Sequence, residues 1–340
     1  MTTTDQNLSD RIDWRALKAI VDRHERFLLT SHVRPDCDAL GSEMALWGLL
    51  RGLGKHVRIV NADPVPPRLA FVDPASRIEV LHREVRPEDL GQVEVIIVVD
   101  TGSWAQLGGM ADVIRASAAQ LVVIDHHVGD EELTALFFRD DRAEATGRLV
   151  ADLVDALGLP VTREMAQSLY VAIATDTGWF RFPSTRSSTY QVAARLMDAG
   201  ACPHEVFRRL YECDSLSRAR LRGVALSHLV IEPGGRLAHT FLRSEDFAGT
   251  GALSSDTEDF INMALAIDGT EVAVMLVEQR DGRFKVSLRS RGLVDCSRVA
   301  AMFDGGGHVA AAGATVRGTF EEVQQRVLHA VRAAMAHAEA

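Results

Sequence analysis

No apolar run in this 340-residue chain approaches the roughly 20 residues needed to cross a bilayer, so a membrane-spanning protein is not expected. Cysteine is scarce as well. The four thiols, Cys37, Cys202, Cys213 and Cys296, form no CxxC pair and are too few for a disulfide scaffold, which fits free cysteines in a reducing compartment. Basic residues fall short of acidic ones, 37 against 47. The resulting net charge of −10 disfavours long nucleic acid as a partner, although a local basic patch could still hold a small anion. Internal repeats and low-complexity stretches are missing, and the polar, acidic start MTTTDQNLSD is unlike a secretory signal. The expected address is the cytoplasm.

What is present is the composition of an ordinary globular protein, 47% hydrophobic and 25% charged, on a chain long enough for two cores. The runs RFLLTSH (26–32), HVRIVNA (56–62), VEVIIVVDTG (93–102) and QLVVIDHH (120–127) are rich in β-branched residues and apolar almost throughout. Strands covered on both faces read this way. Helical patterns separate or follow them: GSEMALWGLLRGLG (41–54), then 145–158, 162–178 and 188–200. The alternation predicts an α/β domain over 1–200 with a parallel sheet. A charged, helix-prone connector is expected over 201–225. The remainder, 226–340, carries strand-like 236–243, 271–279 and 284–291 and a closing amphipathic helix from about 319, the pattern of a smaller α+β domain.

The reactive side chains collect just past the apolar runs, where open α/β sheets bind ligands. His32, Asp36 and Asp38 follow the first run, Asp100 follows VEVIIVV, and Asp125, His126 and His127 follow QLVVI. Asp176 ends the helical run at ATDTG. Taken singly, each acid has an ordinary use: Asp36 and Asp38 as turn residues or a helix cap, Asp100 as a turn former, Asp176 as a cap. Together, four separated segments bring only Asp and His to one sheet edge. That donor set suits hard or borderline divalent cations such as Mn²⁺ or Mg²⁺, and imidazole leaves zinc open too.

The ordered motifs HVRPDCDALGS, VVDTG, DHH and TDTG resemble the DHH phosphoesterase superfamily, and GGGHVAAAG (305–313) after KVSLRSR (285–291) resembles the DHH-associated carboxy-terminal domain. Two departures stand out: Arg34 replaces the commoner asparagine and Cys37 the commoner glycine. The resemblance implies an active site in the cleft between the domains and two bound divalent cations, Mn²⁺ foremost, with Mg²⁺ or Co²⁺ as substitutes. By motif, His32, Asp36, Asp100 and Asp176 would hold one cation. Asp38, Asp100 and His126 would hold the other, with Asp100 bridging. Asp125 would orient the histidines and His127 would face the scissile phosphate. In the second domain Arg289, Ser290, Gly305, Gly306, Gly307 and His308 would hold the unreacting part of the substrate.

Within the superfamily, the layout is similar to bacterial oligoribonucleases that degrade very short RNAs or dinucleotides to 5′-mononucleotides and also dephosphorylate 3′-phosphoadenosine 5′-phosphate (pAp). A dimer is expected by the same resemblance. Three other readings differ in what they leave unexplained. A family II inorganic pyrophosphatase gives GGGHVAAAG no role, and a RecJ-type exonuclease needs an added domain for which there is little room. A nucleotide-sensing module that has lost catalysis should lack a ligand, yet no ligand position is substituted.

Overall fold

Five consecutive β-branched residues, Val95–Val99, are all buried in the interior of a parallel sheet of the computed structural model. The structure describes residues 12–128, 133–307 and 309–338. They divide into two units, one ending at Cys213 and the other beginning at Asp214.

The first unit has six parallel strands: β1 (Arg26–Thr30), β2 (His56–Asn61), β3 (Ile78–Val80), β4 (Val95–Val99), β5 (Gln120–Asp125) and β6 (Leu136–Arg139), in the order β3-β2-β1-β4-β5-β6. The winding runs outward from β1 to β3 and then restarts at β4 on the other side of β1. The carboxyl ends of β1 and β4 therefore flank a switch point, where this class of sheet opens a crevice. Helices α1 (Trp14–Arg23), α2 (Cys37–Gly52), α4 (Thr146–Ala156), α5 (Arg163–Asp176) and α6 (Ser187–Asp198) build the core on one face around Phe27, Leu29, Ile97 and Ile124. The opposite face packs Leu28, Val60, Ile96 and Val98 against α3 (Met110–Ala116). The last helix of the unit is α7 (Pro203–Tyr211).

Helix α2 is buried nearly all round at its amino-terminal end, because α5 covers the side turned away from the sheet. The approach depends on Gly41, where a Cβ would collide with the Ser168 carbonyl oxygen. The helix begins at Cys37, four residues before the predicted start, since the Asp36 carboxylate caps it. Strands β3 and β6 lie at the sheet edges and fell outside the prediction, being three and four residues long.

The second unit opens with α8 (Leu216–Ser227), so the predicted connector is divided: α7 belongs to the first unit and α8 to the second. Its mixed sheet is ordered β11-β12-β10-β9-β8-β7, from β7 (Val230–Ile231), β8 (Leu237–Leu242), β9 (Val272–Gln279), β10 (Arg283–Ser290), β11 (Gly306–Gly307) and β12 (Ala311–Arg317). Among the described residues of this sheet, only the β8–β9 pair is parallel. Between them lie α9 (Ser244–Thr250), α10 (Phe260–Leu265) and α11 (Cys296–Ala301), and α12 (Phe320–Ala338) closes the chain. Helices α8 and α10 cover one face, and α11 and α12 the other. The predicted strands correspond to β8, β9 and β10, whereas AAGATVR carries too little branched apolar surface to have announced β12. No helix among the described residues is long and apolar enough to cross a membrane.

Candidate metal centre

Where β1 ends, the chain turns through Arg34, at φ 55°, into the start of α2. Asp36 accepts the N–H groups of Asp38 and Ala39 at 2.9 and 3.1 Å, so the cap expected of it is real. The same carboxylate oxygen lies 4.0 Å from His32 Nε2. Cys37 points into the core, and Asp38, one residue on, is buried with its carboxylate held at both oxygens. Asp38 Oδ2 accepts Thr146 N–H at 2.7 Å, and Oδ1 accepts Gly147 N–H at 2.8 Å. The first turn of α4 also reaches Asp100, through the Thr146 hydroxyl at 2.8 Å. This gives two buried acids a common clasp of backbone and side-chain donors at a helix start. Sequence reasoning did not single out Thr146 or Gly147, which read as the opening of an ordinary amphipathic helix.

Behind the His32 turn sits a buried polar cluster. Asn61 at the end of β2 accepts Ser31 N–H at 3.1 Å and the Thr30 hydroxyl at 3.3 Å, and it donates to Glu43 of α2 at 3.0 Å. Burial pushes the Glu43 carboxyl up to about 8.

The rings of His32 and His126 aim one nitrogen inward because the other is engaged. His32 Nδ1 is 2.9 Å from the Val33 carbonyl oxygen, and His126 Nδ1 is 3.1 Å from that of Ala143. A donor Nδ1–H leaves the Nε2 lone pair available to a cation. His32 Nε2 lies 3.5 Å from Asp100 Oδ2. His126 Nε2 lies 3.7 Å from Asp38, 3.7 Å from Asp100 and 3.4 Å from Asp176. Ligand atoms around 2.0–2.2 Å from a shared cation stand roughly 3–4 Å apart, so these spacings fit. Asp100 is the common member, with one oxygen toward His32 and the other toward His126. Its backbone is left-handed, at φ 65°.

Three groups of possible ligands share this neighbourhood: His32 with Asp36 and Asp100, Asp38 with His126 and Asp176, and Asp100 with His126 and His127. The family motif grouped Asp176 with His32 and Asp36; here its carboxylate stands with Asp38 and His126 instead. The acids strain against one another. Burial, with Asp38 next, raises the Asp100 carboxyl well above its ordinary value, and the same two causes push Asp176 up to about 8. Burial likewise raises Asp38. Divalent charge is what such a cluster lacks, and the donor set of carboxylate and imidazole fits Mn²⁺, Mg²⁺ or zinc.

His127 is arranged differently. Its Nδ1 is 2.9 Å from Asp125 Oδ1, which also accepts the His127 backbone N–H at 3.1 Å. The hydrogen bond that this nitrogen donates to Asp125 raises the imidazole above its usual range. Burial alone would raise Asp125, but its bonds with His127 and the charge of Arg139 outweigh that and leave it lowered. Asp125 therefore orients His127 alone; backbone carbonyls orient the other two rings. His127 Nδ1 is also 3.7 Å from Asp100, so the ring borders the cluster.

In the second unit Arg289 is half-buried near the end of β10, opposite Ala311 of β12. Ser290 is buried, and its hydroxyl accepts Gly292 and Val294 N–H, both at 3.1 Å, so it shapes the turn after β10. A Cβ at Gly305 or Gly307 would strike β12, while Gly306 faces open space. Two of the three glycines thus serve close strand approach. His308 lies outside the described residues.

Residues 26–173 match the model for the DHH family, N-terminal domain, and residues 236–337 match the DHHA1 domain. A curated protein of Thermus thermophilus named bifunctional oligoribonuclease and PAP phosphatase NrnA is 33% identical over 89% of this chain and 88% of its own length. The chain belongs to the DHH family of phosphoesterases. A second DHH protein of the same name, from Bacillus subtilis, is 26% identical over 87% of this chain and 91% of its own length. The crystal structure of an exopolyphosphatase-related protein from Bacteroides fragilis superposes with a TM-score of 0.91 at 27% identity, covering 96% of this chain and 97% of that one. The Thermus thermophilus RecJ structure with Mn²⁺ shares the fold at a TM-score of 0.54 and 16% identity, over 95% of this chain and 55% of that one.

Proposed function

We propose that this DHH protein is a manganese-dependent phosphodiesterase that hydrolyses very short RNAs and linear dinucleotides to 5′-mononucleotides, and that it also removes the 3′-phosphate of pAp. The observation that carries the reading is the pair of His/Asp groups joined at Asp100. The names of the Thermus and Bacillus relatives support the substrate class.

His32, Asp36 and Asp100 would hold one cation, and Asp38, His126 and Asp176, again with Asp100, the second. When bound, such a pair activates a water and neutralises charge on the phosphate oxygens. The protein's own groups do the rest. The α4 clasp keeps Asp38 and Asp100 in fixed directions. His127, held by Asp125, would present Nε2–H to the leaving oxygen of the sugar and give up its proton as the ester bond breaks. In the second unit, Arg289 would bind the phosphate that does not react, with Gly306 admitting it close to the backbone.

The test is turnover with Mn²⁺ of a 5′-phosphorylated diadenylate, pAp and pyrophosphate by the purified full chain. Release of AMP from the first two, and little phosphate from the third, is the expected result. Faster turnover of pyrophosphate, or binding of the dinucleotide with no product, overturns the reading.

A further inference from the structure

The proposed proton donor rests on Asp125, and Asp125 rests on something further. It is 1% exposed in its side chain, and a buried carboxylate needs partners at both oxygens. One oxygen serves His127. The other, Oδ2, accepts Arg139 Nη2 at 3.2 Å. Sheet register brings these two together: Asp125 ends β5, Arg139 ends β6, and they are direct partners in the parallel ladder. The guanidinium lies 4.7 Å over the ring of Phe137, the preceding residue on the same face of β6. It also fills the space beside Gly102, two residues past Asp100, where a Cβ would collide with Nη2. Strand register, an aromatic platform and a glycine gap each hold the guanidinium in one place.

We infer that Arg139 is a positioning residue, which through Asp125 fixes the direction in which His127 presents its Nε2. The inference rests on the function proposed for His127, and it adds a residue that neither the motifs nor the ligand set includes. With Arg139 removed, Asp125 Oδ2 would be left buried without its charge-assisted bond. The carboxylate would then turn toward another donor and release the imidazole. Partners of this kind in the outer shell of metal sites change activity by about ten- to a hundredfold when lost.

The test uses Arg139→Met and Arg139→Lys, each alone and combined with Asp125→Asn. It reads kcat and KM on the diadenylate with Mn²⁺, metal content, and proton NMR of the Mg²⁺-loaded full chain, with His127→Gln to assign the downfield Nδ1 proton. Arg139→Met should lower kcat by about ten- to a hundredfold with KM and metal content little changed, and Arg139→Lys should recover most of it. In the Asp125→Asn background the methionine should cost nothing further. The Nδ1 resonance should persist in wild type and the lysine variant and be displaced or lost in the methionine variant. An unchanged kcat, a loss repeated in full on Asp125→Asn, or an unmoved resonance overturns the inference. If wild type cleaves no phosphodiester, the proposed function fails while the NMR arm still decides the role of Arg139. Should Arg139→Met not fold, Arg139→Gln, which keeps a donor and drops the charge, takes its place.

Discussion

Asp38 and Gly147 stand 109 positions apart in the chain, and the backbone N–H of the second donates to the carboxylate of the first at 2.8 Å. A Cβ on Gly147 would lie 2.5 Å from Ala172 Cβ and 3.3 Å from Asp38 Oδ1. Gly147→Ala must therefore push α4 away from both α5 and Asp38. We expect a loss of about 1–3 kcal/mol in stability, the usual range for overpacking, together with weaker metal binding. Denaturant unfolding and a Mn²⁺ titration check both; a variant as stable as wild type with unchanged affinity contradicts the clasp.

Asp100→Asn should abolish turnover on every substrate, by about a thousandfold or more, because in the proposed centre the shared carboxylate would serve both cations. Asparagine tolerates the left-handed backbone at this position, so the fold should survive where alanine would add strain. Circular dichroism and metal content distinguish a folded, metal-poor protein from an unfolded one. Near-normal turnover in a folded Asp100→Asn variant would remove the two-cation assignment.

The adjacent histidines should separate by metal analysis. His126→Ala loses an inward Nε2 and should lose metal; His127→Ala should keep its metal and lose rate. Equal depletion in both variants would make His127 a ligand.

Glu43 predicts a pH dependence of stability. Burial raises its folded value from 4.5 to about 8, so the folded state holds the proton over a range where the unfolded state has released it. Its contribution is full below about pH 4.5 and is lost as pH rises toward 8, by roughly 3–5 kcal/mol in all. Glu43→Gln cannot ionise. Relative to wild type it should gain stability between pH 5 and 8, which paired urea melts across that range would reveal; a constant difference would mean that Glu43 does not titrate there.

Arg289→Ala should cost ten- to a hundredfold in kcat/KM on the diadenylate, from a lost charge-assisted contact of about 1.5–3 kcal/mol. Bis-p-nitrophenyl phosphate lacks the second phosphate and should be hydrolysed nearly as before. An equal loss on both substrates would assign Arg289 to the fold.

Much of the centre was legible because the ends of strongly apolar strands are easy to see, and chemistry at those ends falls where the sheet's winding reverses. His32, Asp100 and the Asp125-His126-His127 triplet follow runs that no helix would explain. What stayed hidden depends on tertiary distance. Thr146 and Gly147 look like any helix opening until Asp38 is placed against them. Arg139 sits on a four-residue edge strand whose LFFR pattern is too short to call, so its register with Asp125 could not be foreseen. Ser290 shows the opposite case, a polar residue beside an attractive motif whose hydroxyl is taken up by a local turn.

The proposed ligands lie on four segments, and the last of them, Asp176, is the final residue of α5. During synthesis the ribosome has already released β1, β4 and β5 before that carboxylate exists, and α5 must still dock on α2 to bring it in. A nascent chain stopped short of α5 can present His32, Asp100 and His126 but not the complete centre. Cations would accordingly load onto a folded domain and not guide its early folding, so chelation should yield a folded apoprotein able to take metal back without denaturation and renaturation.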